Sequence, residues 1–179
     1  MLINEVLAQP FAKRFFIARF ITNFGNGMSP IALAFGILAL PNGNANLLGL
    51  VLGTTTLMFV LMAPFGGVIA DKYGRARVVG LTDMAAGGIL LVQVAYFATG
   101  QVPIAVLLIV NGCYGLLWGI FWPAFTGIMP TIVPKEGLQK ANAINALMTN
   151  SGLILGAASA GFLIDAYGAA ITLGIDAAT

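Results

Sequence analysis

The chain has 179 residues, 59% hydrophobic and only 8% charged, with a net charge of +2 and a mean hydropathy of +0.97. Soluble domains carry about 25% charged residues, so this composition excludes a water-soluble enzyme and gives no basic surface for a nucleic acid; the expected solvent is lipid. One cysteine, Cys113, and no histidine exclude an intrachain disulfide and remove the usual zinc, iron and copper ligand sets, so no metal and no cofactor are expected.

Residues 1–14 read as a short amphipathic cytoplasmic lead. Lys13 and Arg14 precede an apolar stretch that runs to Leu40 without a small-residue cleavage site, the pattern of an uncleaved first span rather than a removed signal peptide. A membrane helix needs about 20 apolar residues, and five segments have that length: 15–40, 47–70, 78–98, 104–129 and 141–164. Turn chemistry separates them at Pro41-Asn42-Gly43-Asn44, at residues 71–77, at Gly100-Gln101-Val102-Pro103 and at Pro134-Lys135-Glu136-Gly137.

The first span is interrupted by Asn23-Phe24-Gly25-Asn26-Gly27 and Pro30. The fourth has Asn111-Gly112-Cys113-Tyr114-Gly115 and Pro123 in the matching place. Interrupted helices at corresponding positions of three-helix repeats point to a transporter's binding site. That places a substrate cavity wall at Asn23, Asn26, Asn111, Tyr114 and Trp118; the other reading is that the amides tie neighbouring helices together.

Between the second and third spans lies Gly66-Gly67-Val68-Ile69-Ala70-Asp71-Lys72-Tyr73-Gly74-Arg75-Ala76-Arg77. Gly67 leaves a flat surface for a neighbouring helix, Asp71 ends its helix at the interface, Gly74 permits a tight reversal, and Arg75 and Arg77 reach the headgroups. Asp71 and Arg75 are spaced to pair if the helix persists. The plainer reading is that the cations only set topology.

A charge at the bilayer centre costs at least about 2.5–3.5 kcal/mol, so acids within spans need a reason. Asp83, in the third span, is either an interfacial acid reaching back to Arg75 or Arg77, or a proton relay. Asp176 falls deep in a sixth span and is the second relay candidate. That sixth segment, 169–179, rises about 16 Å against about 30 Å of hydrocarbon. Carbonyls left unpaired at mid-bilayer cost several kcal/mol each, so the chain is expected to be a fragment of a longer protein. The fold expected is an all-α membrane protein of five complete transmembrane helices plus the start of a sixth.

Every basic residue falls on one side of these spans. Lys13, Arg14 and Arg19 open the first, Lys72, Arg75 and Arg77 lie between the second and third, and Lys135 and Lys140 between the fourth and fifth. The positive-inside bias then puts the amino terminus in the cytoplasm of a cell inner membrane protein. Gly49-x-x-x-Gly53, Gly115-x-x-x-Gly119 and Gly152-x-x-x-Gly156 read as helix-packing faces.

The order Gly67-x-x-x-Asp71-Lys72-x-Gly74-Arg75-x-Arg77 resembles the signature loop of the major facilitator superfamily. Residues 122–130, 133–138 and 141–143 and the glycines from Gly156 to Gly161 are similar to its macrolide- and siderophore-exporter branch. The resemblance covers essentially the whole chain. It implies half of a twelve-helix fold, with a missing carboxy-terminal six-helix half as partner, working by alternating access. It implies a proton-coupled antiporter exporting an amphipathic small molecule, and a cytoplasmic latch in which Asp71 faces a helix start of that other half. Two places depart from the pattern: the fourth span has no arginine, and Gly156-Ala157 stands where exporters often have Gly-Pro.

Two other classes share features with this sequence. An intramembrane aspartyl protease using Asp83 and Asp176 lacks the Tyr-Asp and Gly-x-Gly-Asp surroundings of such enzymes, so no catalytic residue is expected. A small helical membrane partner, or a half-transporter that dimerises, is the alternative function; an incomplete sixth helix argues against the dimer, because both copies lack the same wall.

Overall fold

A computed structural model of the protein describes residues 6, 9 and 12–179. Among the described residues the architecture is helical, with no strand. Helix α1 is Ala12–Leu38, α2 is Ala45–Tyr73, α3 is Arg75–Ala98, and α4 is Ile104–Thr126. A single turn, α5 (Met129–Ile132), and a 3-10 turn (Lys135–Gly137) lead into α6, Leu138–Ala178. The last helical stretch, α6, is broken at Gly168, whose backbone is not helical (φ 82°, ψ 166°), into arms 138–167 and 169–178. Gly152 and Gly156 of the first arm meet Phe20 and Phe24 of α1, whereas Ala169 and Asp176 of the second meet Gly36 and Gly25, so the second arm turns back along α1.

Local chemistry explains the ends. Asn44 caps α2, its side-chain oxygen accepting from the Leu47 N–H at 2.8 Å, which satisfies one orphan donor of the first turn. A lone residue, Gly74, divides α2 from α3. Its φ of 90° suits glycine, and its N–H still donates to Ala70 O at 2.9 Å. Pro103 precedes α4 in an extended conformation.

Four helical stretches are long and apolar enough to cross a membrane: Ala45–Tyr73, Arg75–Ala98, Ile104–Thr126 and Lys135–Ala178. The 27-residue α1 is long enough but is not one of them; Arg19, Asn23, Asn26 and Ser29 dilute its apolar content.

The helices pack in pairs, α1 along α6 and α2 along α4, with α3 bridging α4 and α6. Small residues make those approaches possible. A Cβ on Gly115 would strike the Thr55 backbone and one on Gly119 the Phe59 carbonyl, both on α2. Gly152 and Gly156 meet Phe20 and Phe24 of α1 in the same way. Gly49 and Gly53 face open space, so that pair contacts no helix of this bundle.

Two apolar clusters define opposite ends. One gathers Ala12, Phe16, Met129, Val133 and Ala141; the other gathers Leu33, Ile37, Leu47, Val51 and Leu107. Lys13, Arg14, Lys72, Arg75, Arg77, Lys135 and Lys140 belong to the segments at the first end, which leaves Arg19 as the one cation carried inward.

Candidate functional site

Two adjoining cavities lie among α1, α3 and α4, and both are walled by Asn26, Leu90, Tyr114 and Trp118. The larger, about 360 Å³, extends to α2 at Thr55 and Phe59 and includes Asn111 and Gln93. The smaller, about 250 Å³, is closed by the last arm of α6 and carries Thr22, Asp83 and Asp176 on its wall. Volumes of this order match small-molecule sites, which are mostly apolar with a few convergent polar groups.

The five residues named from helix interruptions divide. Asn26, Tyr114 and Trp118 line both cavities, and Asn111 lines the larger one. Asn23 lines neither. Its amide donates to Arg19 O at 2.6 Å and to Thr149 Oγ1 at 3.5 Å, joining α1 to α6. Asn111 does the same on its own helix, donating to Leu107 O at 2.9 Å and to Gln93 Oε1 on α3 at 3.4 Å. The two asparagines are therefore structurally parallel, each returning to the carbonyl one turn back and reaching across to a neighbouring helix.

Asp83 and Asp176 face one cavity, Asp83 exposed on its wall and Asp176 buried at 7% exposure. One oxygen of Asp176, Oδ2, has no hydrogen-bond partner among the described residues; Ser29 is its neighbouring donor. The cation whose field reaches Asp83 is Arg19 of α1; Arg75 is engaged elsewhere. Arg19 itself is 8% exposed, with its guanidinium 4.2 Å from the Phe125 ring centroid and 5.5 Å from that of Phe121.

In the loop between α2 and α3, Arg75 Nη2 lies 2.8 Å from Asp71 Oδ1, even though Gly74 interrupts the helix between them. The same guanidinium rests on Gly127 at the end of α4, where any Cβ would overlap it. That seat is favourable because a cation meets the negative end of the α4 dipole. Gly67 lies against Pro123 of α4, with room for a Cβ at 3.9 Å. Lys72 and Arg77 are exposed.

The sequence from Phe15 to Thr179 matches the description Major Facilitator Superfamily, over residues 15–179. The chain belongs to the major facilitator superfamily. It is similar to the Staphyloferrin A transporter of Staphylococcus aureus, 28% identical over 161 residues, which cover 89% of this chain and 40% of that protein. It is also similar to the Quinolone resistance protein NorA of Staphylococcus aureus, 30% identical over 120 residues, covering 66% of this chain and 29% of the relative. The chain thus spans well under half the length of these relatives. The major facilitator superfamily is a family of multi-pass membrane transporters, and the long apolar helices of this chain fit a lipid bilayer.

Gln93, on the wall of the larger cavity, and Arg19, packed on Phe121 and Phe125 outside both linings, are residues whose place sequence reasoning passed over. In the sequence Arg19 reads as one more topological cation. Its signal was its place five residues inward of Arg14, too deep for a headgroup contact on the same helix face. Gln93 had a comparable signal, an amide in the middle of an apolar helix.

Proposed function

We propose that this bundle is the amino-terminal half of a secondary active transporter that exports an amphipathic small molecule by alternating access, coupled to protons. The observation that carries the reading is the cavity between α1, α3, α4 and the last arm of α6, with Asp83 and Asp176 on a wall that also carries Asn26, Tyr114, Trp118 and Phe121. An acid inside a membrane protein is costly enough to imply a role, and proton relays are built from such carboxylates. Membership of the major facilitator superfamily supports transport, and the relatives' names, a transporter and a resistance protein, support export.

In this reading five helices span the inner membrane completely, 169–179 opens a sixth, residues 1–14 are cytoplasmic, and a carboxy-terminal six-helix half completes the cavity. Asn26, Asn111, Tyr114 and Trp118 contact the substrate, Asn23 holds α1 to α6 behind them, and Asp83 and Asp176 carry the proton. Gly67, Asp71, Lys72, Gly74, Arg75 and Arg77 form the cytoplasmic latch, with Asp71 offered to a helix start of the other half.

The test is dye efflux from proteoliposomes holding the full-length protein under an imposed proton gradient. Flux of an amphipathic fluorescent dye should follow the gradient and fall at least tenfold in Asp83→Asn or Asp176→Asn. Gradient-independent flux, or flux untouched by both substitutions, would overturn the proton-coupled reading.

A further inference from the structure

We infer that Arg19 is a positioning residue for Asp83: its guanidinium moves between an aromatic seat on α4 and an ion pair with that carboxylate, holding Asp83 ionised in one state of the bundle. The inference deepens the reading of Asp83 as a proton carrier and rests on it for its biology, but not for its test.

Arg19 is 8% exposed, so its charge is buried, and its Nε has no partner among the described residues. What meets the guanidinium is aromatic, the Phe125 ring centroid at 4.2 Å and that of Phe121 at 5.5 Å. These rings stack on one another at 5.4 Å, and Phe125 stacks in turn on Phe15 at 6.0 Å. A ring face attracts a cation, yet it brings no formal charge to oppose it. A buried charge without a counter-charge is unfavourable until one arrives.

Arg19 lies outside the linings of both cavities, so the counter-charge belongs to the protein rather than to a ligand held there. Phe121 is the partition: Arg19 packs on its ring, and Asp83 shares the smaller cavity with it. Arg19 and Asp83 act on one another through space. The other acids among the described residues are placed elsewhere. Asp71 holds Arg75 at 2.8 Å, and Asp176 meets Gly25, six residues and about 9 Å further along α1. Glu136 and Asp165 are exposed, near opposite ends of the first α6 arm. Asn145 Oδ1 also lacks a partner and lies one turn before Thr149 on the seam of α1 with α6, but an amide accepts a hydrogen bond without cancelling the charge. Besides Arg19, Asp83 is faced by Tyr114 of α4 and Asp176 of α6 across the same cavity; on α3 itself Arg75 is engaged and Arg77 exposed. Arg19 is therefore the group that favours an ionised Asp83. The apolar stem of an arginine lets its head shift while the stem stays packed.

The experiment follows the infrared band of the protonated Asp83 carboxyl against pH in the full-length protein in lipid nanodiscs, isolated by subtracting the Asp83→Asn spectrum. The pH of half-development gives the proton affinity of that carboxyl. Arg19→Gln should raise this affinity at least tenfold, whereas Arg19→Lys, which keeps the charge, should hold it within threefold. Phe125→Leu removes the seat but keeps the cation, and should lower the affinity at least threefold. An affinity unchanged in Arg19→Gln overturns the inference, as does Arg19→Lys behaving like Arg19→Gln. So does an unchanged affinity in Phe125→Leu, which also decides the case if Arg19→Gln does not fold. Asn145→Ala should leave the affinity in place; a shift as large as that of Arg19→Gln makes the amide the partner and sinks the ion pair. Affinities in the expected order, in a protein whose flux ignores Asp83→Asn, sustain the positioning role and sink the proton-coupled reading instead.

Discussion

Arg75 shows how one side chain joins three helix ends. It opens α3, pairs with Asp71 at the end of α2 and fills the space over Gly127 at the end of α4. The ion pair itself is partly exposed, 37% at Arg75 and 65% at Asp71, and exposed pairs of this spacing contribute only a few tenths of a kcal/mol. Its geometry depends on the glycine seat. A double-mutant cycle of Asp71→Asn and Arg75→Gln, read by thermal unfolding in detergent, should give a small coupling that shrinks with salt. In a Gly127→Leu background the guanidinium is displaced and that coupling should vanish. A coupling that survives Gly127→Leu counts against the seat. The four-residue spacing of Asp71 and Arg75 was legible in the sequence. Gly127 was not, because nothing local marks a glycine whose neighbour arrives from another helix. For the same reason Asn23 and Asn111 looked alike in sequence and only tertiary contacts separate them, one between helices and the other on a cavity wall.

At the scale of helices, the glycine pairs divide by what they touch. Gly115 and Gly156 press on backbone atoms of α2 and α1, which cannot step aside, whereas Gly53 faces open space. Gly156→Ala should therefore cost about 1–3 kcal/mol through overpacking. Gly53→Ala should be neutral or gain up to about 1 kcal/mol from helix propensity. Unfolding midpoints in mixed micelles compare the two; equal losses would mean that Gly53 is covered by a helix after all. Gly168 makes a different demand, a backbone region (φ 82°, ψ 166°) that costs other residues about 1–3 kcal/mol. Gly168→Ala should strain the reversal and loosen the 169–178 arm against α1, read as a longer or broader spin-label distance between positions 22 and 178. An unchanged distance would show that packing, not the glycine, sets the reversal. Helix ends at Asn44, Gly74 and Pro103 were readable because capping and turn residues act locally. The contact of the 169–178 arm with Gly25 and Gly36 of α1 was not, since it is made between distant parts of the chain.

Across the whole molecule, charge and enclosure set the orientation. Seven of the eight Lys and Arg side chains belong to one end of the bundle, and residues 39–46 and 99–103 at the other end hold none. Moving such a cationic end across the membrane is disfavoured, so the charged end should stay cytoplasmic. Enclosure differs between the paired helices: 39% of the most apolar stretch of α4 is buried, against 11% for α2, which leaves α2 facing lipid or a partner. Cysteine labelling with a membrane-impermeant maleimide in intact cells reads this arrangement directly, after Cys113→Ser removes the one native thiol. Lys72→Cys and Lys135→Cys should stay unlabelled from outside, while Gln101→Cys reacts. Because these three positions flank α3 and α4, that pattern means each of those helices crosses once. Asn42→Cys decides the fate of α1, whose polar residues keep it below the apolarity of the other long helices. Its labelling from outside together with protection of Lys13→Cys would show that α1 crosses too, with Arg19, Asn23 and Asn26 sheltered from lipid by α6 and α4. Protection of both positions would mean that α1 does not span, and a cavity that takes Asn26 from that helix could not then reach the middle of the membrane.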